Sequence, residues 1–141
     1  MIDKSEWQWF GAPGHFVCAH DCRFHLCTLV GRYLVSTVGQ YLPDVPVREI
    51  LARSRGIILE GRGEERRADY MAKVGFEEIG ADRKYETYVF HAGDVRCAEP
   101  DCQCGMPRPT DLREVEGVGA NQPGEAQRNH MEMCEKYAAM Q

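Results

Sequence analysis

Two stretches of the chain concentrate side chains that can ligate a metal or act as nucleophiles. The first, "CAHDCRFHLC", holds Cys18, Cys22 and Cys27 together with His20 and His25. The second, "CAEPDCQCG", holds Cys97, Cys102 and Cys104, and a later "HMEMC" sets His130 four residues before Cys134. Disulfides, a bound metal and a thiol nucleophile all draw on these residue types. The seven cysteines leave one unpaired in any complete disulfide scheme. The opening "MIDKSEWQWFGAPGHF" has no apolar run behind a basic start, and no stretch approaches the roughly 20 apolar residues of a membrane span. The expected address is cytoplasmic, where thiols stay reduced and clustered ones serve metals more often than disulfides. The cofactor expected is zinc, as one or two ions.

In "CAEPDCQCG" the thiolates of Cys97, Cys102 and Cys104 repel one another until a divalent cation neutralises them and ties down the loop. Tetrahedral zinc then needs a fourth ligand, which Cys134 or His130 on one face of a C-terminal helix can supply. Cys-x4-Cys-x-Cys is not a standard finger spacing, and the competing reading is a set of reduced surface thiols. In the first stretch, Cys18, Cys22, His25 and Cys27 give the three sulfurs and one nitrogen of a closed structural site, with His20 as an alternate. On a strand, His25 and Cys27 share one face, while Phe24 and Leu26 turn to the other and the core. The plainer reading makes Cys18, Cys22 and Cys27 small buried hydrophobes and His25 a hydrogen-bonded core residue. A mixed site, with His25 or Cys27 completing the coordination of Cys97, Cys102 and Cys104, stays open beside these two.

Catalysis finds less support. The His-x-Glu of "HMEMC" and the cysteines of "PDCQC" resemble zinc nucleobase deaminases only faintly, since in those enzymes the His-x-Glu comes first and two residues, not one, separate the cysteines. "ADYMAKVGFEEIG" has the look of an acetyltransferase helix and strand, but no glycine-rich pyrophosphate loop precedes it. His25 and Cys27 lie parallel on a strand, better placed to share a third atom than to pass a proton. An enzyme would need a three-ligand zinc with an open position and a base such as Glu99, Asp101 or Glu132. Nucleic-acid binding is not expected either. The 17 basic and 22 acidic residues give a net charge of −5, and thiolate ligation of zinc makes the chain more acidic still. The richest basic window, "GRGEERR", is interleaved with Glu64 and Glu65 and reads as a solvated helix face, and Trp7 and Trp9 at period two read as a core stripe. The partner expected is another protein, with no membrane involved.

These side chains must be positioned by ordinary elements. With 141 residues, 43% hydrophobic and 28% charged, the chain can build one core of its own. "EWQWF", "RFHLCTLV" and "RYLVSTVGQYL" are aromatic and β-branched segments that read as strands, the last two joined by a tight turn at Gly31 and Arg32. "PVREILARSRG" opens on Pro46 and stops at Gly56; "EERRADYMAKVG" opens on Glu64 and Glu65 and stops at Gly75. Both read as helices. "RKYETYVFH" alternates as a strand does. From Gly93 onward proline and glycine punctuate a loop-rich stretch, until "GEAQRNHMEMCEKYAAM" presents His130, Cys134 and Tyr137 along one helix face. The fold expected is α+β, a small antiparallel sheet with two or three helices and a zinc-clamped cysteine-rich C-terminal segment. Residues 1–92 form the core domain, and residues 93–141 form a cysteine-rich loop and a C-terminal helix packed on it.

The combination of "EWQWFGAPGHF", "CRFHLCT", "YLVSTVGQY", "GFEEIG", "RKYETYVF" and a late "CxCG" with "HMEMC" resembles a group of small proteins encoded by tailed bacteriophages. The resemblance runs along nearly the whole chain. It implies a phage accessory product made in the bacterial cytoplasm, and it brings no catalytic residues to carry over.

Overall fold

A computed structural model describes residues 2–10, 22–79, 82–96, 107–109 and 113–141. A short turn at Lys4–Glu6 leads into β1 (Gln8–Phe10), followed by β2 (Cys22–Val30) and β3 (Tyr33–Tyr41). Two helices, α1 (Val45–Ser54) and α2 (Glu64–Lys73), come before the long strand β4 (Tyr85–Arg96). Strands β5 (Pro107–Pro109) and β6 (Glu116–Ala120) and helix α3 (Pro123–Ala138) complete the chain. The fold is thus α+β, with an antiparallel sheet and three helices.

Strands run in the order β1-β2-β3-β4, and both β5 and β6 pair with the far side of β4. β6 lies against Tyr85–Val89 of that strand and β5 against Ala92 and Arg96. The division expected at residue 92 therefore falls inside β4. Hairpin β2-β3 is in register from Val30 opposite Tyr33 back to Cys22 opposite Tyr41. Its two-residue turn holds Gly31 at φ 60°, the left-handed conformation a glycine adopts without a Cβ penalty. Gln141 fastens this turn from outside, accepting from the Arg32 amide at 2.9 Å while its amide nitrogen donates to the carbonyls of Val30 and Tyr137.

Every residue of β3 from Tyr33 to Gly39 is buried, so both faces of the sheet are covered there. On one face Val30, Tyr33, Val35 and Val89 pack beneath Met133, Cys134, Tyr137 and Ala138 of α3. On the other, Cys27, Leu34 and Phe90 form a second cluster with Phe10, Leu29, Tyr88 and Ala92. Trp7 joins the α3 core, but Trp9 is 52% exposed, so the expected tryptophan stripe is only half interior.

β6, "EGVGA", had read as loop because two of its five residues are glycine. The reason lies in its neighbour. A Cβ on Gly117 would overlap the Tyr88 ring, and one on Gly119 would overlap Arg83, so this strand needs glycine where it passes under large side chains.

Helices α1 and α2 stand as an insertion between β3 and β4 with a small core of their own: Leu42, Ala52, Leu59 and Tyr70, with Ile57, Met71, Val74 and Phe76 against it. Asp44 caps α1 by accepting from Val47, and Gly75 at φ 84° ends the second helix. Glu77 locks the insertion to the sheet. Its amide donates to the Tyr41 carbonyl, and its carboxylate takes a bidentate pair from Arg55 and a hydrogen bond from the Tyr70 hydroxyl. Among the described residues no helix is long and apolar enough to cross a membrane.

Candidate functional site

Helix α3 begins at Pro123, carries Glu125 in its first turn and Lys136 in its last, and buries Ala126, His130, Met133, Cys134, Tyr137 and Ala138. Those positions recur at spacings of three and four, one stripe of a 3.6-residue period. The stripe lies on the sheet face where β2, β3 and β4 present Thr28, Thr37 and Thr87. Thr37 and Thr87 are direct cross-strand partners.

At the centre of that stripe His130 is fully buried. Its Nε2 lies 2.8 Å from the Thr28 hydroxyl and its Nδ1 2.8 Å from that of Thr37, which in turn meets the Thr87 hydroxyl at 2.7 Å. Thr28 also hydrogen-bonds the Cys134 thiol one helical turn further on. The result is a continuous polar chain, Thr87-Thr37-His130-Thr28-Cys134, sealed between helix and sheet. Each of these polar groups would be expensive to bury alone, and together they satisfy one another. The Trp9 ring, 5.5 Å from the imidazole, roofs it at the edge strand.

Burial sets the charge states. It pushes the His130 pKa down to about 4, because the imidazolium loses its hydration without gaining an anion, so the ring is neutral at pH 7. A neutral ring has one donor and one acceptor nitrogen, which fits two flanking hydroxyls, since each can play either part. Burial likewise pushes the Cys134 thiol up to about 12, although its bond with Thr28 works in the opposite direction. A neutral imidazole and a protonated, shielded thiol are suited to holding the helix in register. They are poorly suited to nucleophilic attack, which needs thiolate and access.

The other ligand candidates are placed as follows. His25 and Cys27 do share a face of β2, as alternation requires, and it is the face away from α3. Cys27 is fully buried in the Leu34 and Phe90 cluster. Phe24 turns to the α3 side and meets the Tyr85 ring edge-on at 5.2 Å. Cys22 is buried too, but it sits five residues from Cys27 on the opposite face of an unbroken strand. At ~3.3 Å per residue their Cα atoms are some ~16 Å apart, too far for one zinc. The sheet likewise separates Cys27 and His25 from His130 and Cys134. Cys18, His20, Cys97, Glu99, Asp101, Cys102 and Cys104 lie outside the described residues. Glu132 is exposed, turned away from the buried stripe. Among the described residues no three His, Cys, Asp or Glu side chains gather around a point where a metal ion would sit.

One titratable group on the far face went unread in the sequence. Glu86 is 8% exposed, and burial raises its pKa while the Tyr88 hydroxyl, donating at 3.1 Å, and Arg83 oppose that rise. The threonine network was equally unsuspected. Its only trace in the sequence is one threonine in the apolar part of each of three strands, Thr28, Thr37 and Thr87.

Comparison with protein-family models, with curated proteins and with solved structures finds no match to this chain.

Proposed function

We propose that the chain acts without catalysis, as a zinc-stiffened accessory protein of a bacteriophage that binds a protein of the host or of the phage in the host cytoplasm. The observation that carries this reading is where apolar surface is left uncovered. Among the large hydrophobics exposed in the described residues, Val45, Val47, Ile50 and Ile58 fall within one 14-residue stretch of the insertion, with Ile50 at 65% and Ile58 at 81%. Apolar side chains concentrated in one segment mark a contact surface more often than scattered ones do. Arg53 and Arg55, exposed in the same stretch, give the contact a charged component.

The test uses tagged full-length protein expressed in a bacterial host. A protein partner is recovered with the native chain, its binding weakens with added salt, and it is lost from the Ile50→Glu and Ile58→Glu variants while their folding is unchanged. Retention of mixed DNA and RNA near physiological ionic strength, with no protein partner, overturns the reading.

For zinc, the set that fits best is Cys97, Cys102 and Cys104 completed by His25 or Cys27. His25 supports it: its Nδ1 is buried with no hydrogen-bond partner among the described residues, on the same strand face as Cys27. A donor atom left so is expensive unless something coordinates it. Zinc there would tie the cysteine-rich loop to the sheet. The expected stoichiometry is one or two ions per chain, counted by native mass spectrometry, and a folded, metal-free protein with seven titratable thiols would sink the zinc reading. The same His25 atom is the one observation favouring the second reading, a small metal-dependent enzyme or nucleotide-binding protein. X-ray absorption showing three protein ligands and a water at the zinc would select it.

A further inference from the structure

The insertion encloses a cavity of about 70 Å³ between its two helices, lined by Val45, Arg48, Glu49, Leu59, Gly63, Arg66, Arg67 and Tyr70. Three guanidiniums thus face one carboxylate. Arg66 is spoken for: it grips Glu49 in a bidentate pair, with Nη2 to Oε2 at 2.9 Å, and donates from Nη1 to the Leu59 carbonyl at 2.7 Å. Arg67 is only loosely held, its nearest carboxylate being the well-exposed Glu64 at 3.7 Å. Arg48 has no ion pair among the described residues, and its Nε is buried without a hydrogen-bond acceptor. A desolvated guanidinium donor lacking an acceptor is costly, and the group that would relieve it is an anion with several acceptor oxygens. Gly63 adds bare backbone to the wall, with open space where a Cβ would stand.

We propose that this cavity binds a tetrahedral oxyanion, a phosphate or the phosphoryl group of a small phosphorylated metabolite, held by Arg48 and Arg67. Arg66, fixed by Glu49, serves as the rigid wall beside the other two guanidiniums. The assignment shares only Val45 with the docking surface and needs no zinc. It gives the basic window "GRGEERR" a purpose beyond solvation, because the intervening Glu64 and Glu65 lie outside the lining while Arg66 and Arg67 are part of it.

The experiment is calorimetric titration of the full chain with inorganic phosphate and, separately, with a nucleoside monophosphate, at constant ionic strength against chloride. Saturable phosphate binding is expected, roughly tenfold or more weaker in Arg48→Gln, in line with the loss of a charged hydrogen bond. Arg48→Lys should recover part of it. Arg67→Gln gives a second reading should Arg48→Gln fail to fold, and is expected to weaken binding in the same direction. Equal affinities for both ligands mean that the phosphoryl group alone is recognised, and a much tighter nucleotide assigns the natural source to nucleotides. Absence of binding to both, or equal binding in the native protein and both glutamine variants, overturns the proposal.

Discussion

The α3-covered face of the sheet and the α1-α2 insertion are built on opposite plans. The sheet face is closed: His130 and Cys134 lie at 0% exposure, and their polar atoms are satisfied by Thr28 and Thr37 from two neighbouring strands, with Thr87 of a third bonded to Thr37. The insertion has a core of four buried residues, is held by surface ion pairs such as Arg66 with Glu49, and leaves Ile50 and Ile58 in solvent. A region whose chemistry is sealed serves stability, and on the proposed function the insertion, with its apolar groups uncovered, serves contact. If that division is right, damage to the first is global and damage to the second is local or functional.

The largest effect is expected from His130→Ala. It leaves a cavity and strands the hydroxyls of Thr28 and Thr37, costing about 3–5 kcal/mol of unfolding free energy. Denaturant titration measures this, and a loss below ~1 kcal/mol would show that the network contributes little.

Acid should approach that effect without mutation. The folded His130 pKa of about 4 lies below the ordinary 6.5, so the unfolded chain binds a proton first. Stability from this group is complete above about pH 6.5 and falls as pH drops toward 4, by roughly 3 kcal/mol in all. At the other extreme, the Cys134 thiol at about 12 predicts a decline as pH rises above 9. An acid limb that persists unchanged in His130→Leu would assign it to other groups.

A smaller and more local change is expected from Glu77→Gln, which weakens the Arg55 pair and the Tyr70 hydroxyl bond. Arg55 is nearly half exposed, so solvent screens part of the interaction and the cost is about 1 kcal/mol. Hydrogen exchange should place that loss in residues 45–76 and spare β3 and β4. Loss of protection across the sheet as well would mean that the two regions unfold together.

Smallest in stability is Ile50→Glu, expected to stay within about 0.5 kcal/mol because the side chain is in solvent. Its effect should appear only in partner capture. A clear drop in melting temperature would make Ile50 a packing residue and remove the contrast.

Elements governed by local rules were legible in the sequence. The Gly31-Arg32 turn, the proline and glycine limits of α1, the Gly75 stop of α2, and the shared face of His130, Cys134 and Tyr137 all follow from the backbone preferences of a few residues. What distance in sequence decides was not legible. His130 meets Thr28 across 102 positions and Thr37 across 93, and nothing local distinguishes a histidine that will find hydroxyls from one that will find a metal. β6 failed for a related reason, since its glycines answer to Tyr88 on β4 and to Arg83 just before it. The cysteine-rich stretches, 18–21 and 97–106, lie outside the described residues, so only Cys22, Cys27 and Cys134 have been placed.

The 102-residue span between Thr28 and His130 also governs the order in which the molecule comes together. Hairpin β2-β3 can form as soon as both strands leave the ribosome, yet Thr87 on the adjoining β4 and the helix that satisfies the threonines emerge much later. Until α3 arrives, the hydroxyls of Thr28, Thr37 and Thr87 face water, and Val30, Val35 and Val89 beside them are an uncovered apolar surface. Contacts this distant in sequence slow folding. The final step should therefore be the docking of α3, and slowing that step, by Ala126→Gly for instance, should lengthen the interval in which a newly made chain is open to chaperones and to aggregation.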